Sequence, residues 1–233
     1  MVKVLEILKE FMKEVEKDNP FNLVLKGGTA LALYYLNHHR ESEDLDFDTE
    51  IHFKKDHEKI KKYLLNLLAK LKERKIITQF KITKASFSST ERYHMKLELE
   101  THKKIYSKID IDFVDLPNNL IKKEKLNLYT AERLFVTKAV TFLSRKEFKD
   151  LYDLNHLIKK IKIDIFKKKI PVIKLLDNVL IELEKEDILK MFKLAFRNVD
   201  LKFKDLNESN LDKFIDKLTK SLRNTINKLK KLK

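Results

Sequence analysis

Apolar residues recur at two distinct periods along the chain. Val4, Leu5, Leu8, Phe11, Met12 and Val15 interleave with charges at helical spacing, and Ile60, Tyr63, Leu64, Leu67, Leu68 and Leu71 form a second stripe behind Asp56, a plausible helix cap. Five other stretches have β-branched or alternating character: Asn22 to Leu25, Leu45 to Thr49, Ile76 to Ile82, Tyr93 to Glu100 and Ile105 to Val114. From about Tyr129 the helical period returns and persists almost to the end, where Leu211, Phe214, Ile215, Leu218, Leu222, Ile226, Leu229 and Leu232 line one side. Leu116-Pro117-Asn118-Asn119 breaks the last strand. This order predicts an α+β fold, with a mixed sheet flanked by helices in residues 1–124 and a helical bundle domain in residues 125–233.

Composition narrows the chemistry. The 233 residues include two glycines and three prolines, far below the usual shares of about 7% and 5%, and the two glycines, Gly27 and Gly28, are adjacent. No cysteine is present, which removes disulfides, thiol nucleophiles and cysteine-ligated metals. The longest apolar stretch, Ala30 to Leu36, is seven residues, against roughly 20 for a membrane-spanning helix. The amphipathic start lacks the uninterrupted apolar block of a secretory leader, so a cytoplasmic protein without a membrane association is expected. An excess of 51 Lys and Arg over 36 Asp and Glu gives a formal charge of +15. Such charge suits a polyanionic partner, nucleic acid or nucleotide, and is equally the mark of a Lys-rich proteome.

Two segments concentrate the candidate chemistry. The apolar strand that ends in Lys26-Gly27-Gly28-Thr29 and passes into a helix expected over Thr29 to Asn37 lets backbone N–H groups approach a phosphate. Downstream, Asp44, Asp46 and Asp48 alternate with Leu45 and Phe47, so a strand presents three carboxylates on one face. A second strand repeats the device, with Lys108, Asp110 and Asp112 opposite Ile109, Ile111 and Phe113. Clustered carboxylates repel unless a cation lies among them, and hard oxygen ligands select Mg²⁺ or Mn²⁺. Parity does not choose between Asp46 and Asp48, or between Asp110 and Asp112. Glu98 and Glu100 lie on another strand, where a solvent-facing role explains them equally well. The seven histidines show no metal-ligand spacing. Lys138 and Arg145 are seven residues apart and share a helix face with Leu134 and Phe142. Two cations on a buried row require an anionic cleft or a route for their heads to solvent.

Lys26-Gly-Gly-Thr-Ala-Leu31 followed by Arg40-x-Ser42-x-Asp44-Leu-Asp46-Phe47 resembles the signature of the AbiEii/AbiGii-type nucleotidyltransferases. These are the toxin halves of type IV toxin–antitoxin systems, within the polymerase β-like nucleotidyltransferase superfamily. Lys108-Ile-Asp110-Ile111 resembles the third-carboxylate strand of that family, and Lys138, Arg145, Lys149-Asp150 and Asp153 resemble its helical motif. The resemblance spans about Leu25 to Leu157. It implies a polymerase β-like domain and transfer of an NMP from an NTP to an acceptor hydroxyl, with release of pyrophosphate. It also implies that Asp44, Asp46 and Asp110 bind Mg²⁺ or Mn²⁺, with Lys138 and Asp150 in the catalytic set. Lys26, Gly27, Gly28, Thr29, Arg40, Ser42, Lys138 and Arg145 would hold the nucleotide, and spacing within the family pattern favours Asp110 over Asp112. The implied acceptor is RNA, at a tRNA 3′ end, and the implied partner is a cognate antitoxin protein. A protein or aminoglycoside-like hydroxyl is the alternative acceptor, and an RNA-binding module without catalysis is the alternative class.

Overall fold

In the computed structural model, which describes residues 4–50, 53–88, 91–166, 169–198, 203 and 206–232, the chain divides into two compact units, Met1–Thr130 and Ala131–Lys233. The alternating segments of the first unit form one mixed seven-stranded sheet. Its strands are β1 (Val24–Lys26), β2 (Asp44–Thr49), β3 (Gln79–Ser88), β4 (Arg92–Glu100), β5 (Lys104–Phe113), β6 (Ile121–Lys123) and β7 (Leu126–Leu128), in the order β3-β4-β5-β2-β1-β7-β6. The pairs β2–β5 and β1–β7 are parallel and the others antiparallel.

One face of this sheet is apolar because period-2 alternation places every second residue on it. Leu45, Phe47, Tyr93, Met95, Leu97, Ile109 and Ile111 are all buried. Two helices supply matching stripes: α1 (Val4–Lys17) buries Leu8, Phe11, Met12 and Val15, and α3 (Phe53–Glu73) buries Ile60, Leu64, Leu67, Leu68 and Leu71. Arg74 bridges from the end of α3 to Glu10 and Glu14 on α1 at 2.7 and 2.9 Å. The opposite sheet face carries the charged residues.

The third strand begins later than its apolar pattern predicts. Ile76 and Ile77 belong to the end of α3, where Lys75 takes a left-handed φ of 58° and the Ile76 N–H donates to the Leu71 carbonyl at 3.0 Å. That geometry closes the helix and makes apolar residues after it part of the cap. The expected helix after the glycines is also more particular: a short α2 (Gly27–Ala30) widens into a π-helical turn over Leu31–Tyr35. Asn37 and His38, both at positive φ, end it. The hairpin β6–β7 was not signalled, since three exposed residues and three buried ones show no period, and the division at Thr130 keeps it in the first unit.

The second unit is helical, with α4 (Ala131–Arg145), α5 (Phe148–Leu157), α6 (Lys169–Leu183), α7 (Glu186–Asn198) and α8 (Leu211–Lys231). In α8 the stripe read from sequence buries Leu211, Leu218, Leu222, Ile226 and Leu229. Phe148 gathers the rings of Phe192, Phe203 and Phe214 at centroid distances of 4.9, 5.4 and 5.4 Å. No helix among the described residues is long and apolar enough to cross a membrane. Because three elements share this one aromatic anchor, Phe148→Ala is expected to lower unfolding stability by about 3–5 kcal/mol, read by chemical denaturation.

Candidate functional site

Parallel pairing of β2 with β5 decides which charges meet. Asp44 lies opposite Lys108, Asp46 opposite Asp110 and Asp48 opposite Asp112, while Leu45, Phe47, Ile109 and Ile111 point to the core. The two alternating strands of the sequence thus form one sheet-face column with five carboxylates and one ammonium.

Such a column stands only if it is compensated. Lys26, the last residue of β1, reaches Asp48 and also Asp112, the latter at 2.6 Å. Burial alone would lower the Lys26 pKa, and the two carboxylates outweigh it and hold the ammonium above its ordinary range. Arg92 on β4 grips Asp112 through Nε and Nη2, the latter at 2.8 Å, and the Tyr129 hydroxyl donates to Asp48 at 2.5 Å. Burial pushes the Asp112 carboxyl up, but the Arg92 and Lys26 hydrogen bonds together bring it below its usual value. Asp48 and Asp112 are therefore committed to internal partners.

Asp44, Asp46 and Asp110 are held differently. Lys108 lies 3.5 Å from Asp44 and 3.2 Å from Asp110, and His94 on β4 bonds the other Asp110 oxygen through Nδ1. Asp46 is half-buried and makes no hydrogen bond or ion pair among the described residues. Burial raises the pKa of both Asp44 and Asp46; Lys108 opposes the rise in each, and the charge of Asp110 adds to it.

The two glycines abut this group. Gly27 has φ of +73°, and a Cβ there would be driven into the Asp46 carboxylate. A Cβ on Gly28 would lie 2.5 Å from Arg40 Nη2 and 3.0 Å from Ser42 Oγ. Thr29 completes the closure: its hydroxyl donates to the Asp44 carbonyl and lies 2.9 Å from Ser42 Oγ. The Lys-Gly-Gly-Thr and Arg-x-Ser-x-Asp segments, separate in sequence, are thus one packed turn. Only residues without a Cβ let that backbone come so close.

Among the described residues no three of His, Asp and Glu stand together as a ready-made metal cage. The donor chemistry nonetheless fits a hard divalent ion: hard oxygens lie on one face, Asp46 lacks any counter-charge in contact, and the Lys108 ammonium already occupies a cation's place between Asp44 and Asp110. The residues able to hold such an ion are Asp44, Asp46 and Asp110.

The helical motif lies in the second unit. Lys138, nearly buried on α4, bonds Asp150 at 3.0 Å and Asp153 at 2.7 Å, both fully buried on α5. Arg145 adds a two-pronged contact to Asp150 at 2.7 and 2.9 Å. The two cations do share a face, as their spacing predicts, and the anions that compensate them are carboxylates of the same unit. Lys149 pairs with Glu147 at 2.7 Å.

Sequence reasoning missed His94, Arg92 and Tyr129. The alternation over Tyr93 to Glu100 does place His94 on the polar face, but its meeting with Asp110 depends on a cross-strand register that no local pattern encodes. Tyr129 lies at a unit boundary, where periodicity is silent.

A family model described as "Nucleotidyl transferase AbiEii toxin, Type IV TA system" matches residues 6–228. A Helicobacter pylori protein assigned as a nucleotidyltransferase superposes with a TM-score of 0.70 at 20% identity, covering 99% of this chain and 96% of its own. The structure of JHP933 from Helicobacter pylori gives a TM-score of 0.67 at 22% identity, with 97% and 91% covered. No curated protein matches the chain.

Two neighbours on one face should respond to pH with opposite sign. The raised Asp46 carboxyl keeps its proton in the folded state to higher pH than in the unfolded chain, so its ionisation removes stability as pH climbs above 3.8. Asp46→Asn should therefore raise Tm at pH 7 in EDTA, with the gain shrinking as pH falls toward 3.8. The depressed Asp112 contributes stability above 3.8 that is lost at lower pH, and Asp112→Asn should cost about 1–3 kcal/mol at pH 7. Thermal melts across pH check both.

Proposed function

The chain belongs to the AbiEii nucleotidyl transferase toxin family of type IV toxin–antitoxin systems, and from that premise we propose that it transfers an NMP from an NTP to a hydroxyl on RNA, at a tRNA 3′ end. The observation that carries this reading is Asp46, a half-buried carboxylate without a partner, set between Asp44 and Asp110 and against the Gly27 backbone. A fold has no use for an unpaired buried charge, whereas a site that receives a cation does.

Asp44, Asp46 and Asp110 hold Mg²⁺ or Mn²⁺ in this proposal. A divalent ion bound there supplies charge neutralisation for the triphosphate and acidifies the acceptor hydroxyl. In this reading the backbone N–H groups at Gly27 and Gly28 bind the phosphates, with Thr29 and Ser42 fixing the turn that carries them. Arg40 and Lys26 add positive field along the same edge. Asp110, oriented by His94, accepts the proton of the attacking hydroxyl. The acceptor oxygen forms its bond to the α-phosphorus as the bond to pyrophosphate breaks, and pyrophosphate leaves with the released electron pair.

Lys138, Arg145 and Asp150 act in this reading as positioning residues. Lys138 has both neighbouring carboxylates as counter-ions, which supports a role in fixing α4 against α5 rather than in neutralising phosphate directly. A separate antitoxin protein is the partner that the toxin family implies, and a cytoplasmic setting, where NTPs and tRNA are found, suits the reaction.

Incubation with total tRNA, Mg²⁺ or Mn²⁺ and each α-labelled NTP should place label in the tRNA band, and Asp46→Ala should reduce it by about 10²–10³-fold, the order seen for loss of a principal electrostatic contributor. Mg²⁺ with the accepted NTP should also raise the Tm of the wild type and not of Asp46→Ala. Label on protein would redirect the acceptor. Absence of both label and NTP-dependent stabilisation would overturn the transfer reading.

A further inference from the structure

Strand register sets a row of side chains leading outward from the carboxylates. Asp44 on β2 lies opposite Lys108 on β5, Lys108 opposite Lys96 on β4, and Lys96 opposite Lys84 on β3, the outermost strand on that side. Neighbouring strands are about 4.8 Å apart, so the three lysine stems span about 10 Å of one sheet face. Lys84 and Lys96 are both exposed: the alternation that buries Met95 and Leu97 turns Lys96 to solvent, and an irregularity in β3 between Ile82 and Lys84 brings Lys84 opposite it. Lys108 has Asp44 and Asp110 as counter-ions. Lys84 and Lys96 have no ion pair among the described residues.

Like charges directly opposite each other on neighbouring strands are destabilising, so the fold alone gives no reason for this row. A lysine on an outer strand can guard against unwanted strand pairing. That accounts for Lys84 and not for Lys96, which lies on an interior strand. The adjacent positions extend the pattern. Tyr106 on β5, two residues from Lys108, is 64% exposed and lies opposite Glu98. Glu98 is neutralised by Lys104 at 3.0 Å and lies opposite Lys81 on β3. The surface beside the carboxylates is therefore cationic, with one projecting aromatic ring.

We propose that this face is the acceptor track, an inference that rests on the transfer reading above. The phosphodiester backbone of a polynucleotide lies over Lys84 and Lys96, and one base stacks on Tyr106. The track ends at Asp110, so a bound strand delivers its terminal hydroxyl to the reacting centre. Ammonium groups bind phosphate as point charges and aromatic faces accept any base, so binding is tolerant of sequence. A small acceptor molecule would need neither feature.

The test measures binding of a 5′-fluorescein single-stranded RNA of about 12 nucleotides to the full chain in EDTA, by anisotropy over a range of KCl concentrations. The double variant Lys84→Gln/Lys96→Gln should flatten the slope of log K against log salt by about 1.4, since each phosphate contact to a single strand contributes about 0.7. Tyr106→Ala should weaken binding about tenfold or more with the slope unchanged. Both variants should melt as the wild type does and keep stabilisation by Mg²⁺ and NTP. An unchanged slope and affinity in the double variant would overturn the track. So would displacement of the RNA by polyglutamate as effectively as by unlabelled RNA, which would point to an acidic protein surface. RNA transfer at wild-type rate by the double variant would reject the track and leave the transfer reading standing. Lysine-dependent RNA binding without transfer or NTP-dependent stabilisation would reject the transfer reading, and the acceptor role with it, and leave only a nucleic-acid-binding face.

Discussion

Everything at the carboxylate face depends on how β2 lies against β5. Parallel pairing puts three carboxylates of one strand beside a lysine and two carboxylates of the other, and the Coulomb cost must be met locally. The fold meets it unevenly. Asp48 and Asp112 receive Lys26, Arg92 and Tyr129, which closes the far end of the column. Asp44 and Asp110 share a single lysine, and Asp46 receives no partner of its own. One sheet register thereby produces a fully compensated end and an incompletely compensated end from the same residue type.

The sequence period made the face legible but not this division. Alternation alone identified Asp44, Asp46, Asp48, Asp110 and Asp112 as facing one way, because a strand has no other choice. It left the pairs indistinguishable, since the cations that separate them come from β1 and β4, remote in sequence. The glycine pair was legible as a close approach, yet what approaches it, Asp46 for one residue and Arg40 with Ser42 for the other, depends on the tertiary turn. Boundaries failed where local chemistry outweighed periodicity, as at Ile76, which serves the closure of α3 instead of a strand.

In the second unit the same logic is carried further. Lys138, Asp150 and Asp153 satisfy one another almost entirely out of water, and the partly exposed Arg145 closes the group from its rim. Their helical spacing showed that the two cations share a face, but not which anions would meet them. Charges so enclosed hold helices in register because removing one partner strands the rest. The contrast is with Asp46: in the second unit the ionic residues pair with one another, and in the first a half-buried carboxylate has no ion pair among the described residues.

The adjacent glycines bear on how this gene can be silenced. Any single-base change that replaces glycine in a glycine codon installs a Cβ or ends the chain. At Gly27 that Cβ meets the Asp46 carboxylate from a backbone conformation that side chains rarely adopt, and at Gly28 it meets the Arg40 guanidinium. Neither position lies in the apolar core, so the rest of the fold can survive the change. Under the transfer reading proposed above, a change at Gly27, where the left-handed φ adds to the clash, is a short mutational path to a folded protein with an obstructed site. Such a protein would still be recognisable to whatever partner binds its remaining surface.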